Sequence, residues 1–258
     1  MPAYEVYAIK YAHHARRAAE NFIGGDPHDG PMPLDYFVWL VRGEGRVFVV
    51  DTGFSAAVGA RRGRDHLRCP AESLGLLGVD RAEVRDVIVT HLHYDHVGNF
   101  DLFPAATFHL QDLEMRYATG RHMGEKIFAG AYDVEDVAGM VRRVYAGRVR
   151  FHDGDAELAP GVSVHLIGGH TMGLQSVRVR TRRGLLVLAS DASHFYANLE
   201  QVRPFPIVWS VADMVQGYRR LRELADSPAH IIPGHDPLVL ERYPAPAPQL
   251  KGIVARLD

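Results

Sequence analysis

Two hydrophobic patterns take turns along the chain. Short apolar or alternating runs bounded by turn-forming residues predict strands: Tyr4–Tyr11, Tyr36–Val41, Val47–Val50, Val87–Val89, Val162–Ile167, Ser176–Arg180, Leu185–Ala189 and His230–Ile232. Continuous apolar stretches such as Tyr36–Val41 and Val47–Val50, joined by Gly43-Glu44-Gly45, predict burial on both faces. Longer segments predict helices over Pro70–Leu77, stopped by Gly78, over Val134–Tyr145, and over Val211–Leu224. In the second of these, Val134, Val137, Val141 and Val144 share one face and Gly147 follows the end. The tail from Tyr243 to Pro248 is proline-rich and reads as a segment running over the surface.

Strands in both halves, with helices available to cover them, predict a layered α/β architecture. No repeat or linker-like stretch divides the 258 residues, so one domain over residues 1–258 is expected.

Composition removes several classes of function. Lys and Arg number 29 against 31 Asp and Glu, a net charge of −2 that argues against a nucleic-acid partner. The clusters Arg61–Arg62–Arg64 and Arg219–Arg220–Arg222 read as solvated helix faces. Cys69 is the only cysteine, which excludes an intramolecular disulfide and a cysteine-based zinc site. No run is long enough to span a bilayer, and the N-terminus lacks a basic region followed by an apolar stretch. A cytoplasmic protein without a membrane partner is the expectation.

The chemistry is concentrated in Thr90-His91-Leu92-His93-Tyr94-Asp95-His96-Val97-Gly98, directly after the apolar run Val87–Val89. Imidazole nitrogens and carboxylate oxygens suit divalent metals, and a strand-end loop holds them on a rigid base. Alternation places His91 and His93 on one side, and a turn after them leaves Asp95 and His96 free to face a second position. Four further residues follow apolar runs: Asp51 after Val47–Val50, His170 after Gly168-Gly169, Asp191 after Leu186–Ala189, and His235 after Ile231-Ile232-Pro233-Gly234. Active sites of α/β proteins gather at strand ends, so the series points to one site.

This series, Asp51, His91-x-His93-x-Asp95-His96, His170, Asp191 and His235, resembles the ordered motifs of the metallo-β-lactamase superfamily, over residues 45 to 240. The resemblance implies an αββα sandwich with the site at one edge between two sheets. It implies that His91, His93 and His170 hold one metal, that Asp95, His96 and His235 hold another, that Asp191 bridges them, and that Asp51 hydrogen-bonds a ligand from behind. Two divalent ions are expected, Zn2+ by default, with Fe, Mn or Co also suited to nitrogen and oxygen ligands. Two cations sharing one water lower its pKa from about 16 toward about 7. The hydroxide so formed would attack a carbonyl, with Asp95 moving the proton.

Within the superfamily, the β-lactamases carry a cysteine where this chain has Asp191. THLHYDHVGN over Thr90–Asn99, with Ser190-Asp191-Ala192-Ser193, is most similar to the N-acyl homoserine lactonase group. The implied partner is a small-molecule lactone or ester, and the implied assembly a homodimer. Those lactonases carry a tyrosine three residues after the bridging aspartate; here His194 stands there and Tyr196 follows, so either is a candidate catalytic residue. Phe22-Ile23-Gly24-Gly25-Asp26 is a candidate loop over the site. Leu113, Met115, Tyr117, Met123, Ile127 and Phe128 are candidates for a substrate pocket, although such a stripe also suits a core. The other readings are a different ester hydrolase or glyoxalase-II-like thioesterase of this fold, and a non-catalytic metal-binding or sensing protein.

Overall fold

The computed structural model describes residues 3–258. The chain forms β1 (Glu5–His14), β2 (Leu34–Gly43), β3 (Arg46–Val50), β4 (Asp65–His66), β5 (Asp86–Ile88), β6 (Thr107–Gln111) and β7 (Val149–His152), all in one sheet. A second sheet contains β8 (Ala156–Ala159), β9 (Val162–Leu166), β10 (Gln175–Thr181), β11 (Gly184–Ser190) and β12 (Ile231–Pro233). The last strand, β13 (Val254–Arg256), returns to the first sheet and pairs antiparallel with β1. The sheet orders are β13-β1-β2-β3-β5-β6-β7, with β4 on β1, and β12-β11-β10-β9-β8.

Three apolar layers result. Alternate residues of β2 explain the first two: Phe37, Trp39 and Val41 point between the sheets, where they meet Val164, Val177, Leu186 and Leu188. Tyr36, Val38 and Leu40 point outward, under Leu74, Val137 and Met140 of the helical segments. The third layer lies outside the second sheet, where Met214, Tyr218 and Leu221 of the helix Val211–Leu224 cover Val187 and Ala189. Helices outside two facing sheets make the αββα sandwich, and the fully buried β2 accounts for its uninterrupted apolar sequence.

Both long helices form where expected, at Val134–Tyr145 and Val211–Leu224, although Val134 of the predicted stripe is 74% exposed and Met140 joins Val137 in the core. Pro70–Leu77 is α-helical only to Ser73 and tightens to a 3-10 turn over Leu74–Leu77 before Gly78, at φ 73°. The expected surface tail is a connection that delivers β13 to the sheet edge, a strand too short to stand out in sequence. Strands β3, β5, β6 and β7 run parallel, as do β11 and β12, so their carboxyl ends collect at one edge. That edge carries the histidines and aspartates. Among the described residues no helix is long and apolar enough to cross a membrane.

Candidate metal centre

The loop after β5 builds the first donor set. His93 has extended backbone, and a single helical turn, Tyr94–Val97, starts after it. The turn reverses side-chain direction, so His91 and His93 face His170 while Asp95 and His96 face His235. His91 Nε2 lies 3.0 Å from His93 Nδ1 and 3.2 Å from His170 Nε2, and His170 Nε2 lies 2.9 Å from His93 Nδ1. A tetrahedral metal with bonds of about 2.05 Å separates its ligands by about 3.3 Å, close to these spacings. Burial, reinforced by neighbouring histidines, holds His91 and His93 well below the ordinary imidazole pKa. They therefore present neutral rings and open lone pairs.

The second set contains Asp95, His96 and His235. Asp191 stands between the two: its Oδ1 is 3.0 Å from His235 Nε2 and 3.4 Å from His96 Nε2, its Oδ2 3.3 Å from His170 Nε2 and 3.9 Å from His91 Nε2. Asp95 Oδ2 is 3.7 Å from His96 Nε2 and 3.8 Å from His235 Nε2. His96 Nε2 and Asp191 Oδ1 are buried without a hydrogen-bond partner. Two orphaned atoms facing one point are what a metal ligand pair looks like. Burial opposes charge on His96, but Asp191, Asp95 and Asp51 outweigh it and raise its pKa well above the usual value. This half of the cluster draws positive charge.

The outward ring nitrogens settle the orientation. His96 Nδ1 meets Asp51 Oδ2 at 2.7 Å, His170 Nδ1 donates to the Ile207 carbonyl at 2.7 Å, and His235 Nδ1 donates to the Asp35 carbonyl at 2.9 Å. Each contact turns Nε2 inward, the usual way a protein orients a histidine toward a metal. Asp51 also receives the Thr90 amide and hydroxyl at 2.7 and 2.8 Å. It takes a left-handed backbone, φ 63°, and so does Ser190, φ 49°, just before Asp191. Gly234 is required by contact: a Cβ there would meet Asp191 Oδ1 at 2.8 Å.

One buried carboxylate ties the two loops of the first set together, and it has no counterpart among the residues singled out from sequence. Glu114 Oε1 accepts from the Leu92 amide at 2.9 Å and the Tyr132 hydroxyl at 3.0 Å. Its Oε2 accepts from the Thr171 hydroxyl at 2.6 Å and the Gly173 amide at 3.2 Å. Leu92 separates His91 from His93, and Thr171 follows His170. Burial raises the Glu114 pKa against the pull of those four donors. A solitary Glu in a helix carries no sequence signal of this job.

The remaining expectations divide. His194 reaches the cluster, with Nε2 2.9 Å from Asp191 Oδ2 and its ring stacked 3.5 Å over Phe205. Burial takes it down to about 3 despite Asp191. Tyr196 does not reach it. The helix Tyr196–Glu200 begins there and turns the ring into the layer between the sheets, under Arg242 at 3.8 Å.

The cavity over the cluster, ≈ 200 Å³, is lined by none of the six expected pocket residues. Tyr117 belongs to the outer core with Met115, Met123 and Phe128 packed against it, Leu113 is half-buried, and Ile127 is exposed. Phe22–Asp26 lies one segment away, docked through Phe22 and Asp26 on Arg203. The arginine clusters divide: Arg61, Arg219 and Arg222 are exposed, as expected of solvated faces, and Arg61 and Arg220 make surface ion pairs with Asp133 and Asp155, but Arg62 and Arg64 line the cavity.

An αββα sandwich with a two-lobed histidine and aspartate cluster at its sheet edge defines a metal-binding protein of the metallo-β-lactamase type. The chain belongs to the metallo-beta-lactamase superfamily, whose family model matches residues 32–239. A relative from Rhizobium johnstonii, "N-acyl homoserine lactonase AttM", is 34% identical over 62% of this chain and 61% of its own length. "N-acyl homoserine lactonase AiiA" of Bacillus thuringiensis subsp. kurstaki is 28% identical over 62% of this chain and 59% of its own. The matches thus span about three-fifths of these curated relatives. Among solved structures, a quorum-quenching N-acyl homoserine lactone lactonase superposes with TM-score 0.76 at 23% identity, covering 92% of this chain and 93% of that one. AidC, a dizinc quorum-quenching lactonase, gives 0.66 at 17% identity, over 89% and 86%. Both likenesses are of fold. A dinuclear metal centre is the family's expectation, and the donor groups here suit it.

Proposed function

We propose that this chain is a metal-dependent hydrolase that opens lactone rings, with N-acyl homoserine lactones as the first substrates to try. The observation that carries the reading is Asp191, whose two oxygens face two separate donor sets. In this reading His91, His93 and His170 would hold one ion and Asp95, His96 and His235 the other, with Asp191 placed to serve both. Zn2+ fits the ligand chemistry, as do Fe, Mn and Co. When bound, the pair brings water toward a pKa of about 7 and polarises the ester carbonyl.

The chain's own groups supply the rest. Asp51 keeps His96 Nε2 aimed inward. Asp95, whose side chain retains 11% exposure, takes a proton on its other oxygen, the one not facing His96 and His235, and returns it to the leaving oxygen. His194 holds Asp191 from the side through its Nε2. The names of the relatives support the lactone as substrate class.

The test is proton release by purified, metal-analysed protein on acyl homoserine lactones, simple lactones and thioesters. Ring opening that vanishes on chelation and returns with metal is the expected result. Silence on every lactone, with about two ions bound per chain, would discard the substrate class. Turnover of thioesters alone would assign the site to a thioesterase.

A further inference from the structure

The cavity over the donor cluster has a positively charged rim. His14 ends β1 and Arg16 follows it; Arg62 ends the helix Ala56–Arg62 and Arg64 lies just beyond. Arg62 is pinned by the carbonyls of Gly130 and Tyr132, at 2.9 and 3.0 Å, with its guanidinium 4.0 Å over the Tyr94 ring. Arg64 donates to the Tyr94 hydroxyl at 3.2 Å and the Arg62 carbonyl at 2.7 Å, and meets His14 Nε2 at 3.0 Å. Arg16 is 14% exposed at its side chain, and its one acidic neighbour, Glu20, is 3.8 Å away and mostly in solvent.

The charges of Arg62 and Arg64 are not cancelled, and that of Arg16 is met only by the half-exposed Glu20. Every partner of Arg62 and Arg64 named above is neutral, and neither forms an ion pair among the described residues. His14 adds no acid, since burial together with Arg64 and Arg16 brings it down to about 4, leaving a neutral ring that accepts from Arg64. The acids on the cavity wall are Asp95 and Asp191, both members of the donor cluster. Half-burying guanidinium groups costs desolvation, which a counter-ion normally offsets. Here neutral acceptors fix their direction and leave the charge for whatever enters the cavity. A planar fork of N–H donors matches a carboxylate.

We propose that Arg64 and Arg16, oriented by His14, Tyr94 and Glu20, form a subsite for a carboxylate carried by the substrate. This rests on the lactone reading above. The preferred substrate is then a lactone whose reacting carbonyl sits at the metal cluster while an anionic tail reaches the rim. A lactone with a wholly apolar tail is a poorer one.

Two acyl homoserine lactones of equal chain length, one ending in a methyl group and one in a carboxylate, test this by proton release. The expected result is a preference of about tenfold or more in kcat/KM for the carboxylate tail, falling as salt screens the rim. In Arg64→Gln and in Arg16→Gln the preference ratio should drop toward one. Among the described residues the side chain of Arg16 makes its polar contacts with Glu20 alone, so its variant serves if Arg64→Gln fails to fold. Equal kcat/KM for the two tails in the wild type, or an unchanged ratio in both variants, overturns the subsite.

If neither lactone opens, the lactonase reading fails and the rim is judged by calorimetry with adipate on the metal-loaded protein. Saturable binding weakened about tenfold in the variants sustains the subsite. Absent binding, or equal binding to wild type and variants, removes it.

Discussion

Glu114 offers the sharpest test of how the first donor set is held. Its carboxylate receives two backbone amides and two hydroxyls, all buried. In Glu114→Gln the amide oxygen still serves Leu92 and Tyr132, and the Thr171 hydroxyl turns to accept from the new NH2 group. The Gly173 amide is the exception: it faces another donor and cannot rotate away. One unpaired buried amide costs about 1–3 kcal/mol. Glu114→Ala strands both amides and leaves a void, for about 3–6 kcal/mol, reduced somewhat because a buried charge is also removed. The loops carrying His91, His93 and His170 lose their common anchor, so metal affinity should fall about 10- to 100-fold in the Gln variant. Urea unfolding of the metal-free protein reads the first effect, and competition with a chromophoric chelator reads the second. A Gln variant as stable as wild type within about 0.5 kcal/mol, binding metal equally well, would refute the clamp.

Three further outcomes are expected. Asp191→Ala should bind at most one ion per chain by elemental analysis and lose more than about 100-fold in kcat; two ions with full activity would remove the bridge. Tyr196→Phe should keep kcat/KM within about twofold, because the ring lies between the sheets and not at the cavity; a large loss would restore it as a catalytic candidate. Asp136 is pushed up to about 7, by burial and then by Asp133, with one oxygen buried and unpartnered. A carboxyl raised on folding favours the native state at low pH, and that advantage is lost as pH rises from about 4 through about 7. Asp136→Asn should therefore be more stable than wild type at pH 8, by about 1–2 kcal/mol after solvent screening, with the gap closing toward pH 4; equal unfolding midpoints at pH 8 would contradict this.

Local order in the chain carries a good deal of this structure. The 3.6-residue period marked Val134–Tyr145, because that helix buries one stripe. The apolar runs marked β2, β3 and β11, because those strands are covered on both sides. The donor residues were legible for a related reason: each follows a strand, and His91, His93, Asp95 and His96 lie within six residues of one another. Short edge elements such as β13 escaped, since three residues hold too little pattern.

What only the tertiary structure decided concerns direction and long-range meeting. His194 and Tyr196 are two residues apart, yet one stacks at the cluster and the other enters the core, because a helix starts between their two roles. Glu114 clamps loops from 22 and 57 residues away in the chain. Arg62 and Arg64 share a sequence cluster with Arg61, but Arg62, at the last position of its helix, and Arg64, just past the left-handed turn at Gly63, both reach the cavity rim while Arg61 meets Asp133. Residue type and spacing specify which groups a chain possesses; which way each points, and what stands opposite, is set by packing between segments distant in sequence.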